Sequence, residues 1–368
     1  MPDAPESAAP ELLGFRTRID ALDRELLALL NRRAALALQV GALKKREGSV
    51  AFRPEREAQV IDGLKAVNAG PLKADSVAPI WREIMSACRA LETPTRVAYL
   101  GPAGTFSEEA ALGFFGSSIG KVPCANFDEV LHATASGAAD FGVVPVENSS
   151  EGVVTRSLDL FLTTPLFIIG ETSLYVRHQL LRRENSLAGI SAVCAHPQAL
   201  AQCHGWLSIH LPNVERRPVS SNAEGARLAS LDPALAGIAS ERAASEFGLH
   251  VVAPAIQDDA HNRTRFAVLA HPHQHPQPKA SGHDCTSLIV SVTNRPGAVH
   301  DMLVPLKVHG VSMTRFESRP ARSGQWEYYF YIDLQGHPDQ PHVAAALSEL
   351  RGVCAFFKLL GTYPIDVH

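Results

Sequence analysis

The sequence predicts three domains of different fold class: an all-helical unit, an α/β unit and a small α+β unit. One long helical pattern runs from Glu11 to Arg46. After Thr95, short β-rich runs alternate with helical patterns, which is typical of an α/β fold with a largely parallel sheet. From Thr286 to about Ile365 the elements follow the β-α-β-β-α-β order of a ferredoxin-like unit. We therefore expect a disordered N-terminus over residues 1–10, domains over 11–93, 95–270 and 285–365, and a linker over 271–284.

The composition is that of an ordinary globular protein. The 368 residues are 46% hydrophobic and 20% charged, and the formal net charge of -4 provides no basic field for a nucleic acid. No apolar run reads as long enough to span a bilayer, and the first ten residues lack the apolar core of a signal peptide. The six cysteines form no Cys-x-x-Cys pair. They favour buried thiols in a reducing cytoplasm over a disulfide framework or a zinc site.

The first helix is too long to be covered by its own domain. A helix of this length extends over roughly 50 Å, so we expect it to pack on the same helix of a second protomer. Two shorter helices follow, at about 54–68 and 76–92. Arg33 and Lys44 are eleven residues apart and share one face, whereas Arg16 lies about 100° away and could serve the partner's pocket. A solvated cationic face is the simpler alternative.

Polar motifs follow several predicted strands of the α/β unit. They are Gly101 to Ser107, Pro145 to Ser150, His196 to Gln198, Ser220 to Asn222, and Ser240 with Glu241. Ligands of open α/β sheets bind in the crevice beyond the carboxyl ends of the strands. One such motif alone is commonly a helix cap. Several around one crevice indicate a polar binding site.

The stretch from Asn262 to Phe266 places two arginines around a threonine hydroxyl. Guanidinium donors suit carboxylates, and a hydroxyl can pass on a proton, so the stretch indicates a pocket for an acidic small molecule. An edge strand with solvated arginines is the alternative. The His-rich residues 271–284 favour a solvated linker over a metal site, because no carboxylate or cysteine joins the histidines at ligand spacing.

Four motifs, in this order, resemble those of the bifunctional chorismate mutase–prephenate dehydratase family. They are Gly101 to Ser107, Pro145 to Ser149, Asn262 to Phe266, and Glu317 to Pro320. The resemblance covers Leu12 to about Pro364. It implies a helical chorismate mutase dimer, a dehydratase of two α/β lobes like a periplasmic binding protein, and a C-terminal ACT domain. It further implies that chorismate becomes prephenate, that prephenate becomes phenylpyruvate, and that phenylalanine inhibits by feedback.

For the mutase, the resemblance implies substrate contacts on all three helices and no cofactor or metal. The matching positions are Arg16 of the partner chain, Arg33, Lys44, Arg53, Glu57, Cys88 and Glu92. Lys44 and Glu92 would flank the breaking ether oxygen as catalytic groups. Arg53, Cys88 and Glu92 stand where some members have aspartate, serine and glutamine. A glutamate donates a hydrogen bond only when it is protonated, so we expect mutase activity to fall as the pH rises.

For the dehydratase, the resemblance implies Thr264 as the essential hydroxyl and Glu147 as a second candidate acid. The matching prephenate positions are Thr105, Ser107, Glu147, Asn148, Ser149, Gln198, Arg265 and Phe266, with Phe266 expected mainly to pack. For the ACT domain, the implied phenylalanine positions are Asn294, Pro296, Gly297, Ala298, Val299, Glu317, Ser318 and Arg319.

Two other functions fit parts of the sequence. One is a dehydratase whose helical unit only mediates dimerisation. The other is a two-lobed sensor that binds an acidic metabolite without chemistry, against which Thr264 and the mutase cations speak. The C-terminal unit could also be a purely structural dimerisation module, because a fold alone does not prove a ligand.

Overall fold

The helical unit consists of one long helix and two shorter ones. The computed structural model describes residues 8–47, 52–92, 94–273, 275–321 and 328–365, apart from the side chains of residues 8–10. The three helices are α1 (Ala8–Glu47), α2 (Pro54–Val67) and α3 (Ala74–Glu92). Residues 8–10 are helical where disorder was expected, and residues 1–7 lie outside the described part of the chain. Pro54 occupies the first turn of α2, where its missing N–H costs no hydrogen bond.

The long helix α1 leaves most of its apolar side chains uncovered. Leu22, Leu26, Leu29 and Leu36 are each more than half exposed. Among the described residues, the segment Glu11–Glu47 is long and apolar enough to cross a membrane. Its most apolar 18-residue stretch has a mean hydropathy of 1.3, and only 6% of that stretch is buried. The expectation that no run is long enough was wrong on this measure. One such helix is weak evidence for a membrane, and a second copy of α1 would cover the same surface.

The α/β unit forms two lobes. Its elements in chain order are β1 (Arg96–Leu100), α4 (Phe106–Phe115), β2 (Gly120–Cys124), α5 (Phe127–Ala135), β3 (Phe141–Asn148), β4 (Gly152–Val153), α6 (Thr155–Thr163), β5 (Phe167–Tyr175), β6 (Gln179–Arg182), β7 (Ala192–Ala195), α7 (Pro197–Gln202), α8 (His204–His210), β8 (Glu215–Pro218), α9 (Asn222–Leu231), β9 (Leu235–Ala239), α10 (Glu241–Phe247), β10 (His250–Ala253) and β11 (Arg263–Ala270). The first lobe has the strand order β2-β1-β3-β11-β5, and the second lobe has the order β10-β6-β9-β7-β8.

Both sheets are mixed, so the prediction of a largely parallel sheet was only partly right. In the first lobe β1 pairs in parallel with β2 and β3, but β11 is antiparallel to β3 and to β5. In the second lobe β6 is antiparallel to β9 and β10. The cause is the path of the chain, which leaves the first lobe after β5 and returns only with β11. That return places β11 in the middle of the first sheet.

The C-terminal domain is a four-stranded antiparallel sheet with two helices. Its elements are β12 (Asp284–Ser291), α11 (Ala298–Val308), β13 (Met313–Pro320), β14 (Tyr328–Gln335), α12 (Pro341–Val353) and β15 (Phe356–Pro364), in the sheet order β13-β14-β12-β15. One face of the sheet packs on the first lobe in a shared core that includes Ile289 and Tyr331. The Tyr331 hydroxyl donates to the Leu158 carbonyl at 2.7 Å. The two domains therefore share one continuous interface.

The connection between the last two domains is partly packed, and the prediction of a solvated linker was wrong for that part. The His275 ring lies 4.3 Å from the Phe141 ring, measured between centroids. Burial lowers the pKa of His275 to about 4, with Asp140 opposing the shift. The buried carbonyl of Pro278 accepts a hydrogen bond from His337 Nε2 at 3.0 Å. These contacts fasten the connection to both domains.

Candidate active sites

Most of the predicted chorismate positions meet where α1, α2 and α3 converge. Arg33 Nη1 on α1 donates to the Sγ atom of Cys88 on α3 at 3.0 Å. Lys44 lies further along the same face of α1 and interacts electrostatically with Glu92 and with Arg53. These residues therefore surround one cationic junction between the helices, as the eleven-residue spacing predicted.

The Lys44–Glu92 pair lies at the closest approach of α1 and α3. A Cβ atom at Gly41 would lie 2.5 Å from the Glu92 carboxyl carbon, so the Glu92 side chain lies directly against α1 and a larger residue at position 41 would displace it. Lys45 Nζ donates to the Glu92 backbone carbonyl at 3.1 Å. Burial lowers the pKa of Lys44, the Glu92 carboxylate opposes that shift, and Arg53 reinforces it.

Glu57 is bound by a residue that the sequence analysis did not single out. Its Oε1 atom forms an ion pair with Arg89 Nη1, and both side chains are largely buried. Arg89 lies three residues before Glu92 on α3. No sequence motif marks it, because it falls between the positions that the resemblance carries over.

Arg16 does not join this junction. It is exposed on α1 and lies 17 residues from Arg33, or roughly 25 Å along the helix axis. Within one chain the two arginines cannot reach the same small molecule. Arg16 therefore lies outside the junction that its own chain forms.

The second candidate site is built where β11 pairs with β3. Thr264 on β11 lies opposite Asn148, the last residue of β3. Asn148 Nδ2 donates to Thr264 Oγ1 at 2.8 Å and to Asn262 Oδ1 at 2.8 Å. Asn148 and Asn262 are buried, whereas Thr264 is half-buried. The chain's return to the first lobe thus brings together residues more than a hundred positions apart.

The orientation of the Asn148 amide is fixed by its other contacts. Its Oδ1 atom accepts hydrogen bonds from the backbone N–H groups of Ser150 and Glu151, at 3.1 Å each. Its nitrogen must therefore face Thr264, because the oxygen is engaged on the opposite side. Thr264 Oγ1 accepts that hydrogen bond. Its own hydroxyl hydrogen is not used in that bond. We call the place where Thr264, Asn148 and Asn262 meet Gln202 of the second lobe the Thr264 cleft.

Gln202 of the second lobe continues this hydrogen-bonded chain. Its Oε1 atom accepts from Asn262 Nδ2 at 3.2 Å and from His178 Nε2 at 3.0 Å. Its Nε2 atom donates to Glu151 Oε1 at 3.0 Å. Burial lowers the pKa of His178, and the Gln202 hydrogen bond opposes that shift. The network joins the two lobes through side chains alone.

Gln202, rather than the predicted Gln198, takes part in this network. Gln198 lies one turn earlier on α7 and is exposed. Its backbone N–H donates to His196 Nδ1 at 3.4 Å, at the start of the helix. Two glutamines four residues apart lie on one face of a helix, so spacing alone cannot tell which of them reaches the cleft.

Glu147 and Arg265 lie on the other face of the sheet, away from Thr264 and Asn148. Successive side chains of a strand point to opposite faces, and each of these residues is the immediate neighbour of a cleft residue. Arg265 Nη2 contacts Asp333 Oδ2 of the C-terminal domain at 2.9 Å, and Arg265 Nη1 contacts Glu171 Oε2 at 3.4 Å. Glu147 Oε2 contacts Arg315 Nε of β13 at 3.2 Å. The structure therefore does not bring them to the Thr264 cleft.

The charges around Arg265 form a buried network beneath the C-terminal domain. Burial by itself lowers the pKa of Arg265, but the Asp333 and Glu171 carboxylates outweigh that effect and raise it. Burial raises the pKa of Glu171, and Arg265 opposes the shift. Ser287 Oγ donates to Asp333 at 2.6 Å and completes the set. Arg265 is thus a structural cation of the domain interface in this conformation.

The remaining predicted prephenate positions have mixed roles. Phe266 is 2% exposed and packs in the apolar core of the first lobe. Thr105 caps α4, because its Oγ1 atom accepts from the Glu108 N–H at 3.3 Å and donates to the Leu100 carbonyl at 2.9 Å. Ser107 is buried in the first turn of α4. Ser149 Oγ accepts from the Arg263 backbone N–H at 2.9 Å and stabilises the start of β11.

Glu108 is another residue that the sequence analysis missed. It is fully buried, accepts from the Gly104 N–H at 2.6 Å and pairs with Lys121 at 2.9 Å. Arg242 of the second lobe lies 3.5 Å from the same carboxylate. Burial alone raises the pKa of Glu108, but the Gly104 hydrogen bond and the two cations together lower it. Through Arg242, Glu108 therefore forms a second contact between the two lobes.

The predicted phenylalanine positions lie at one end of the C-terminal sheet. Ser291 of β12 is opposite Tyr329 of β14, and Tyr329 is opposite Arg319 of β13. The segment 294–299 follows β12, so it lies beyond the same end as residues 317–319. Gly297, with φ of +78°, begins α11 in a conformation that favours glycine. Asn294, Pro296 and Val299 are exposed, and Ala298 is buried.

Arg319 is engaged within the chain. Its Nη1 atom donates to Thr155 Oγ1 at 2.8 Å, and its Nη2 atom lies 3.3 Å from Asp159 Oδ1, both on α6 of the first lobe. Glu317 and Ser318 are its neighbours on β13. Arg319 thus fastens β13 to the first lobe, and its contact with phenylalanine stays a prediction.

Comparison with known proteins assigns each part of the chain to a family. A family model for chorismate mutase type II matches residues 15–93, one for prephenate dehydratase matches residues 97–274, and one for the ACT domain matches residues 286–352. A bifunctional chorismate mutase/prephenate dehydratase of Neisseria gonorrhoeae is 47% identical over 97% of this chain and 98% of its own length.

Two solved structures resemble most of the chain. A prephenate dehydratase from Arthrobacter aurescens in complex with L-Phe has 34% identity and a TM-score of 0.67, over 74% of this chain and 90% of that one. GqqA, described as a novel type of quorum quenching acylase, has 29% identity and a TM-score of 0.68, over 74% of this chain and 98% of that one. The second description names another activity, so the fold by itself does not assign a reaction.

The helical unit, the two-lobed cleft and the C-terminal sheet together define a multidomain enzyme with two separate sites. Because the full-length match spans all three units at high identity, the chain belongs to the bifunctional chorismate mutase/prephenate dehydratase family.

Proposed function

We propose that this chain converts chorismate to prephenate at the helical junction and prephenate to phenylpyruvate at the Thr264 cleft. The observation that carries the proposal is the Thr264–Asn148–Asn262–Gln202 network, because it fixes one hydroxyl group in a cleft between two lobes. The mutase family match over residues 15–93 adds the first reaction. A sensor would need no cationic helical junction.

In the first reaction the ether C–O bond of chorismate breaks while a C–C bond forms. This rearrangement needs no nucleophile, only a held conformer and stabilisation of the negative charge on the ether oxygen. The positive charge of Lys44 stabilises this negative charge, and burial makes its electrostatic effect stronger than it would be in water. Arg33, held by Cys88, is placed to bind a carboxylate. Arg16 of a second chain would complete the site.

In the second reaction the ring carboxylate of prephenate leaves as carbon dioxide and the ring hydroxyl group leaves as water. The electrons of the breaking C–C bond aromatise the ring and expel the hydroxyl oxygen, which takes up one proton. Thr264 is the group we assign to donate or relay that proton, since Asn148 occupies its acceptor side. Asn148 also stabilises the oxygen that the proton leaves behind. Glu147, on the other face of the sheet, is not assigned this role.

Regulation by phenylalanine at the C-terminal domain is the third part of the proposal. The Arthrobacter aurescens relative is described as a complex with L-Phe. In this chain β13 carries Glu317 and Ser318 near one end and Arg315 further back, where Arg315 contacts Glu147 at 3.2 Å. Glu147 precedes Asn148, the residue that orients Thr264. A ligand that shifts β13 would therefore act within one residue of the cleft.

We further propose a cytoplasmic homodimer formed through α1. All six cysteines are free thiols, which suits a reducing compartment. The exposed leucines of α1 need a partner, and the distance of Arg16 from Arg33 is explained if that partner is a second copy. Sedimentation analysis at several concentrations tests the dimer, and Leu26→Lys should shift the protein towards monomer.

Two variants separate the enzyme from a dehydratase with a structural arm. Arg33→Ala and Lys44→Ala should each reduce chorismate consumption at least about 100-fold, because each removes a positive charge that stabilises the transition state. The rate on supplied prephenate should stay within about twofold. Unchanged chorismate consumption in both variants would refute the mutase assignment and leave the helices a structural role.

Calorimetric titration with L-Phe, compared between the wild type and Glu317→Ala, tests the regulatory site.

A further inference from the structure

Arg89 lies at the boundary between the helical unit and the first lobe. Its side chain is 10% exposed and ion-pairs with Glu57 through Nη1. Its Nη2 atom donates to the carbonyl of Phe115, the last residue of α4, at 2.5 Å. Its guanidinium carbon lies 4.9 Å from the centroid of the Phe52 ring. One side chain thus contacts a proposed chorismate residue and the dehydratase domain at once.

The charge of Arg89 belongs to the electrostatics of the mutase junction. Burial lowers the pKa of Arg89 to about 10, and Glu92 opposes the shift. Arg89 is also one of the cations that lower the pKa of Lys44, after burial itself and Arg53. A buried guanidinium requires charged or polar partners, and Glu57 and the Phe115 carbonyl provide them.

The Phe115 carbonyl is a suitable partner because it ends a helix. The last carbonyls of a helix lack intrahelical donors and carry its negative dipole end. The packing there is tight, since a Cβ atom at Gly116 would lie 2.4 Å from the Cβ atom of Ser86 on α3. Ser86 Oγ accepts from the Ser118 N–H at 3.2 Å. The end of α4 is therefore held against α3.

Glu57 stands at the same boundary. It lines a cavity of about 300 Å³ that α2 shares with Phe114 of α4 and with Arg263 of β11. The ion pair with Arg89 holds the Glu57 carboxylate against α3 at the edge of this cavity. Without Arg89, the carboxylate would lose this contact with α3 and could turn further into the cavity.

We propose that Arg89 is a positioning residue of the mutase, which holds Glu57 in place and is itself held by the C-terminal end of α4. The dehydratase domain then supports the mutase site directly, and the two activities are not independent of the domain boundary. The inference rests on the proposed role of Glu57 in binding chorismate. Arg89 touches no substrate atom and acts through Glu57.

The test is a double-mutant cycle in the full-length chain. Arg89→Met should lower mutase kcat/KM at least tenfold, and Arg89→Lys should recover part of the loss, because an ammonium can hold Glu57 but lacks the fork that also reaches Phe115. After Glu57→Gln, the further change Arg89→Met should cost less than threefold. Dehydratase kcat/KM on supplied prephenate should stay within twofold. Arg156→Met removes an exposed ion pair with Asp128 and is the matched control.

Four results would overturn the proposal. If Arg89→Met has unchanged mutase activity, Arg89 has no positioning role. If Glu57→Gln is impaired at the same time, the assignment of Glu57 still stands. Fully additive losses in the cycle would show that Arg89 does not act through Glu57. Equal losses of both activities in Arg89→Met, with a lowered Tm, would show a merely structural role. If Glu57→Gln itself is fully active, the proposed function of Glu57 fails, and this inference fails with it.

Discussion

Replacing Asn148 by aspartate reverses the polarity of the hydrogen bond at the Thr264 hydroxyl. In the wild type, Asn148 Nδ2 donates to Thr264 Oγ1 and to Asn262 Oδ1, at 2.8 Å each. A carboxylate donates nothing, so both acceptors lose their donor. The Thr264 hydroxyl would then donate its hydrogen to the new carboxylate instead of to the ligand. The change is nearly isosteric, so packing should be conserved.

The expected loss of dehydratase rate follows from removing the Thr264 hydroxyl hydrogen as a proton source for the leaving hydroxyl group. General acid catalysis contributes about 10²- to 10⁴-fold in rate. We therefore expect the dehydratase kcat/KM of Asn148→Asp to fall at least about 100-fold, which corresponds to about 2.7 kcal/mol of transition-state stabilisation. The cost of burying the new charge near Asn262 adds to this loss, although the Ser150 and Glu151 amides still bind the other carboxylate oxygen.

The assay measures phenylpyruvate formation from supplied prephenate, with chorismate consumption by the same preparation as the internal control for folding. Mutase kcat/KM should remain within about twofold, because the helical junction lies in another domain. Asn126→Asp is the matched variant, since Asn126 caps α5 and aspartate caps a helix equally well. Asn148→Asp activity above a tenth of the wild type would refute the assigned polarity. So would an equal loss in Asn126→Asp.

Two further predictions concern charge. The folded-state pKa of His275 lies near 4, below the unfolded value, so its contribution to stability is complete above about pH 6.5 and is lost as the pH falls towards 4. His275→Phe should therefore reduce the loss of Tm in that window, and an unchanged slope would contradict the burial of this ring against Phe141. Asp333→Asn should lower the free energy of unfolding by about 2 kcal/mol in urea titrations, because Arg265 keeps only its weaker partners, and an unchanged midpoint would contradict the buried network.

The sequence was sufficient for the fold class and the order of the three units, but not for the way the strands pair. Hydrophobic periodicity predicted the long first helix over Glu11 to Arg46, and the structure has it over Ala8–Glu47, because its apolar side chains repeat at three- and four-residue spacing. It did not predict the antiparallel entry of β11 between β3 and β5. Pairing depends on where the chain goes between strands, and periodicity contains no such information.

Two pairs of the predicted prephenate positions are split between the two faces of the sheet, for a simple physical reason. Thr264 and Arg265 are neighbours on a strand, as are Asn148 and Glu147, so only one member of each pair can face the cleft. Strand alternation alone could have excluded two of the four from that cleft, although it could not say which two. The hydrogen bonds of Gln202 and the contacts of Arg89 could not be predicted from the sequence. The first cross between the two lobes, and the second cross the boundary between two domains.

The most direct test of two separate sites on one chain is a time course with chorismate as the only substrate, comparing the wild type with Thr264→Val and a control without enzyme. The wild type should form phenylpyruvate. Thr264→Val should consume chorismate at the wild-type rate and accumulate prephenate, with no phenylpyruvate beyond the spontaneous decay in the control. Phenylpyruvate formed by Thr264→Val at the wild-type rate would contradict the role of the Thr264 hydroxyl. Chorismate left unconsumed by the wild type would contradict the mutase.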